Sequence, residues 1–126
     1  MPNWCANDLY IKGPTDKVAE CVAFIGERFD FDKLTPYPEK FKKIDKKAAY
    51  LHPVRGQCLT FDTAWSPPTA VIKALAAKFP ELSLCHEYFE RGAAFCGGVT
   101  YPSLKQLIDG DEIREWSGDY NGPRGG

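Results

Sequence analysis

Apolar and polar residues alternate from Trp4 to Lys12. Cys5, Leu9 and Ile11 fall on one side, and Trp4, Asp8, Tyr10 and Lys12 on the other. A period of two is the signature of a strand. Gly13-Pro14 ends it, and a helical period takes over. Val18, Cys21, Val22 and Ile25 recur at i, i+3, i+4 and i+7, with Lys17, Glu20 and Glu27 opposite. That spacing predicts an amphipathic helix over 16–28, capped by Thr15 or Asp16. Alternation returns at Leu59 and Phe61, which predicts a strand over 57–64. Ser66 then reads as an N-cap and Pro67 as the first residue of a second helix over 67–79, with Val71, Ile72, Leu75 and Phe79 as its apolar stripe. Pro80 stops it. Residues 82–89 read as a strand with Leu82, Leu84, His86 and Tyr88 on one face. Glu90-Arg91-Gly92 is a turn, and residues 93–101 are its hairpin partner, with Phe95, Val99 and Tyr101 aligned. Gly97-Gly98 marks a bulge or a close approach to the backbone. Ser103 caps a short helical turn through Leu104, Leu107 and Ile108, Asp109-Gly110 reverses the chain, and 112–117 read as an edge strand.

The stretch between the first helix and the second strand is less regular. Phe29, Phe31 and Leu34 are expected to tuck beneath the first helix, while Pro36 and Pro38 disfavour helix there. Residues 39–51 are basic, with Phe41, Ile44 and Ala48 on one side, and read as a helix. His52-Pro53 through Gly56 is a turn signal. Residues 38–57 are taken as a variable insertion in a single domain spanning 1–118, followed by a glycine-rich tail, 119–126. Each helix has one apolar stripe, so both seek one face of a sheet. The expected fold is α+β and ferredoxin-like: two helices packed on one face of a mostly antiparallel sheet, with a long connection between first helix and second strand.

Composition narrows the picture only a little. A chain of 126 residues can bury a core of its own. The net charge of −1 argues against a protein whose main task is coating nucleic acid. The run Lys40, Lys42, Lys43, Lys46 and Lys47 reads first as a solvated face. Five cysteines, at 5, 21, 58, 85 and 96, form no CxxC pair, and they read as reduced thiols serving as small apolar residues. The start lacks a signal-peptide pattern, and no apolar run reaches membrane-spanning length. A cytoplasmic protein with no membrane partner is expected.

Several stretches carry a likeness that patterning does not supply. The opening Met1-Pro2-Asn3-Trp4-Cys5-Ala6-Asn7 resembles that of the YubB-like family of phage and plasmid proteins. Phe29 to Pro36 and Phe61-Asp62-Thr63-Ala64-Trp65-Ser66-Pro67-Pro68 are similar to that family's later motifs, as are Phe79 to Leu82, Tyr88 to Gly92 and Phe95 to Gly97. Where family members often carry a Trp-Gly-x-Lys-Trp-like stretch, this chain has Ala49 to Gly56. The resemblance implies a ferredoxin-like domain and a mobile-element origin. It implies no catalytic residue and no cofactor.

The residues themselves point to little chemistry. Cys85 and His86 are adjacent, and neighbours on a strand face opposite ways, so no metal site is expected. A Cys–His nucleophilic pair or an acid–base carboxylate pair among Asp62, Glu87, Glu90, Asp109 and Asp111 has no spacing to place it. No phosphate-binding loop is present. Two residues of the central motif are left open by packing: Asp62, which is out of phase with Phe61, and Trp65 at the corner. The candidate binding residues are Trp65, Asp62, Trp4, Tyr10, His86 and Tyr88. The leading expectation is a non-enzymatic phage or plasmid protein that docks on a host protein, and the family's genomic habit suggests inhibition of a host defence system. The alternatives are single-stranded nucleic-acid or nucleotide binding on the open sheet face, and a small enzyme with an unrecognised site. No catalytic residue, metal or cofactor is assigned, and the oligomeric state is left open.

Overall fold

A computed structural model of the chain describes residues 4–25, 28–30, 43–64, 67–90 and 94–119. Their elements run β1 (Trp4–Lys12), α1 (Thr15–Ile25), β2 (Arg28–Asp30), β3 (Lys43–His52), β4 (Gly56–Ala64), α2 (Thr69–Lys78), β5 (Ser83–Glu90), β6 (Phe95–Tyr101), α3 (Leu104–Ile108) and β7 (Arg114–Asp119). The strands form a seven-stranded sheet in the order β2-β3-β4-β1-β5-β6-β7, and every pairing is antiparallel. Its centre, β3-β4-β1-β5, joined by α1 and α2, is the ferredoxin-like α+β arrangement. The expected fold class is therefore present, with β2 added at one edge and β6 and β7 at the other.

Register decides which face each side chain occupies. Leu9 lies opposite Leu59 and His86, and Ile11 opposite Leu84. These positions face the helices. Leu9, Ile11, Leu59, Phe61, Leu84, Val99 and Tyr101 pack there with Cys21 and Ile25 of α1 and with Val71, Ile72 and Leu75 of α2. Fully burying each aliphatic side chain contributes about 1.5–3 kcal/mol. Phe24 and Phe79 meet edge-on at 5.7 Å and close the gap between the two helices.

The expected helix over 39–51 is overturned. Residues 43–52 form β3, and this strand supplies the fold's second core strand from within the stretch read as a variable insertion. The turn explains why. His52 Nδ1 accepts hydrogen bonds from the amides of Val54 (3.1 Å) and Arg55 (2.9 Å). Gly56 takes φ +87°, and a Cβ there would strike the Ile11 carbonyl oxygen. This tight closure lays β3 along β4 from Lys46 opposite Phe61 to His52 opposite Gly56, with a bulge between Lys46 and Ala48. Pairing with β4 and β2 outweighs the modest helix preference of a Lys/Ala run.

The second helix also starts later than expected. Pro68 restricts Pro67 to extended backbone, so the helix cannot begin at Pro67. It begins at Thr69, where the Pro68 carbonyl accepts from the amides of Val71 and Ile72, both at 3.1 Å. Ser66 and Trp65 lie outside the described residues, as do Phe31 to Phe41 and the tail from residue 120. β7 does take in Asp119. The short helix α3 forms as expected, with a capping box. The Ser103 hydroxyl accepts from the Gln106 amide (3.3 Å), and the Ser103 amide donates to Gln106 Oε1 (2.8 Å). Gly110, at φ +102°, then reverses the chain into β7.

Candidate functional site

The sheet face away from the helices carries the other half of each strand. The register arranges it in rows. One row runs Tyr50, Cys58, Tyr10, Cys85, Thr100 and Arg114. The next runs Thr60, Asp8, Glu87, Gly98 and Trp116. The one after it includes Asp62, Ala6, Phe89 and Cys96. None of the three helices packs its buried residues here.

Arg55 comes to this face from the β3–β4 turn, positioned by the His52 hydrogen bonds already described. Its guanidinium carbon stands 3.6 Å from the centroid of the Tyr10 ring. Its Nη1 donates to Glu87 Oε1 at 2.9 Å, and its Nη2 donates to Cys85 Sγ at 3.2 Å. Burial works against the guanidinium's charge, but the bond to Glu87, that carboxylate's charge and Cys85 more than offset it, so its pKa is raised. The His52 ring meets Tyr10 edge-on at 5.9 Å. Tyr10 is therefore covered, and Phe89 on the same face is partly buried. Tyr50 and Trp116 are exposed aromatics of this face, at 45% and 51%.

The Trp116 indole comes close to the sheet because Gly98 leaves room for it. A Cβ on Gly98 would come within 2.6 Å of the indole Nε1. On the opposite face, a Cβ on Gly97 would strike the Tyr88 hydroxyl. The adjacent glycines thus admit an aromatic ring on each side of β6, which accounts for the pair noted in the sequence.

Asp8 and Glu87 are direct cross-strand neighbours. Burial, then the charge of Glu87, raises the pKa of Asp8 above its usual value, and Arg55 pulls the other way. Asp8 has no hydrogen bond or ion pair among the described residues, whereas Glu87 is paired with Arg55. This carboxylate pair was not placed by spacing, because its members lie far apart in the chain and meet only through the β1–β5 register. Arg55, Tyr50 and Trp116 were missed likewise. The turn signal at 52–56 and the alternation in β1 were the available clues to Arg55 and Asp8.

The residues expected to bind do not come together. Tyr10 and Asp62 lie on the open face. His86 and Tyr88 lie on the helix-side face, where His86 is 0% exposed. Trp4 opens β1 opposite Ala64, and Trp65 lies outside the described residues.

His86 belongs to a buried polar network. Asn7 Nδ2 donates to the carbonyls of Cys5 (3.0 Å) and Phe61 (3.3 Å) and to Thr63 Oγ1 (3.1 Å). Two carbonyl partners fix which end of the amide is nitrogen. Asn7 Oδ1 must then accept from His86 Nε2, at 2.9 Å. The proton therefore sits on Nε2, and Nδ1 is a lone-pair nitrogen with no partner among the described residues. Burial pushes the imidazole pKa down to about 4, so the ring is neutral near pH 7. The thiols of Cys5 and Cys21 are each pushed up to about 12 by burial, which keeps them protonated and unreactive. Among the described residues, no three His, Cys, Asp or Glu side chains group as metal ligands.

Residues 37–121 match the family described as the ferredoxin-like domain in Api92-like protein. The chain belongs to that family. The match spans more than half of the sequence and takes in β3 through β7, while β1 and α1 precede it. No curated protein and no solved structure matches the chain. No helix among the described residues is long and apolar enough to cross a membrane.

Proposed function

We propose that the chain is a non-enzymatic binding protein that docks on another protein through its open sheet face. The observation that carries this reading is the exposure of Trp116 and Tyr50 on the same face as Arg55, because Trp, Tyr and Arg are the side chains that dominate binding energy at interfaces. Among the described residues no helix packs its buried side chains on this sheet face, which offers a broad platform for such contact. A host protein as partner, carriage by a phage or plasmid, and inhibition of a host defence system rest on the resemblance of Met1–Asn7 and Phe61–Pro68 to the YubB-like family. The free cysteines support a reducing, cytoplasmic setting, and the chain through β7 is taken as one domain.

A second reading uses the same face for single-stranded nucleic acid, and the exposed Tyr50 and Trp116 favour it, since bases stack on such rings. Asp8 and Glu87 count against it. They lie near the centre of the platform, where a phosphate backbone would meet negative charge.

Co-purification from nuclease-treated host extract, beside gel shifts with single-stranded DNA and RNA, tests the choice. A stoichiometric protein partner lost with Trp116→Ala supports docking. A salt-sensitive oligonucleotide shift lost with the same variant, and no protein partner, overturns it.

A further inference from the structure

Resting on the docking role proposed above, we infer that the partner places a lysine or arginine side chain on the Asp8–Glu87 pair. The two carboxylates face each other across β1 and β5, and the described residues give them a single ion-pairing cation, Arg55. Its guanidinium is committed. One nitrogen is on Glu87 and the other on Cys85, with the plane against Tyr10 and the backbone held by the His52 turn. Arg55 therefore neutralises Glu87, and among the described residues Asp8 has no ion pair.

The surroundings suit a cation arriving from outside. Asp8 is partly exposed, and it is flanked by the small side chains of Thr60 on β4 and Ala6 in its own strand and, beyond Glu87, by Gly98, with Tyr10 and Arg55 on its other side. The indole of Trp116 lies over Gly98 at the end of the same row. A lysine stem or a guanidinium laid on that indole directs its positive end toward the carboxylates. Charge complementarity thus selects a basic segment over an acidic or purely apolar one.

The test is selection of a random linear peptide library on the full chain, followed by affinities for wild type, Asp8→Asn and the double variant Tyr50→Ala/Trp116→Ala. Thermal midpoints establish that each variant is folded. The expected result is enrichment of Lys- or Arg-bearing peptides whose affinity falls about tenfold or more in Asp8→Asn, falls in the double variant and weakens with salt. Peptides lost in the double variant but unaffected by Asp8→Asn overturn the cation assignment and leave the docking face standing. Peptides indifferent to all the variants, or no enrichment, overturn both.

Discussion

The two faces of this sheet are built from alternate residues of the same strands and follow opposite rules. On the helix-side face, Leu9, Leu59, Phe61 and Leu84 are buried among α1 and α2, and even the polar groups are drawn inward, as the Asn7–His86 bond illustrates. On the open face, one residue along each strand, Tyr10, Cys85 and Glu87 meet a single arginine, and Tyr50 and Trp116 remain half exposed. Stability rests on the first face. The second keeps a carboxylate with no ion pair among the described residues beside another carboxylate, an arrangement that folding alone gives no reason to keep. The docking role proposed above would give it one.

The largest effects should come from the helix-side face. Leu59→Ala, at a fully buried position beside Leu9, should cost about 2–5 kcal/mol in denaturant unfolding. His86 should give that face an acid limb. Its pKa is near 6.5 when unfolded and about 4 when folded, so the unfolded chain takes up the proton first. The stability it contributes is fully present above about 6.5 and is lost as pH falls toward 4, by about 3 kcal/mol. His86→Gln should flatten this limb in a pH series of thermal midpoints, at some cost in stability near pH 7.

The open face should respond weakly and with the opposite sign. The folded pKa of Asp8 is raised, so the folded chain holds that proton longer than the unfolded one, and stability gained at Asp8 grows as pH falls. Asp8→Asn relieves a cross-strand like-charge pair. It should stabilise the chain near neutral pH by about 0.5 kcal/mol, a gain that disappears in acid. The smallest change is expected from Trp116→Ala, within about 0.5 kcal/mol, because half of the ring is already in water. A Trp116→Ala loss on the scale of Leu59→Ala would mark the open face as core and break the comparison.

Much of the helix-side face was legible in the sequence. Period-two runs in β1, β4 and β5 and the helical stripe Val71, Ile72 and Leu75 place the core directly, and Ser103 was legible as a cap, though not the Gln106 half of its capping box. β3 was not legible, because Lys46, Lys47, Ala48 and Ala49 favour helix locally and only the closure at Gly56 and the partner strand make them extended. The open face was legible one strand at a time. Asp8, Tyr10 and Lys12 could be assigned a shared side, but Glu87 and Trp116 join them through pairings between distant segments. His86 misled for a related reason. Its alternation with Leu84 marks it as buried, and polarity alone suggested a site.

Docking requires the open face to be the working surface. Its most direct test is retention of a partner from nuclease-treated host extract by wild type and by Tyr50→Ala/Trp116→Ala, at matched thermal midpoints. The account predicts a protein held by wild type and released by the double variant. Equal retention by both would contradict it.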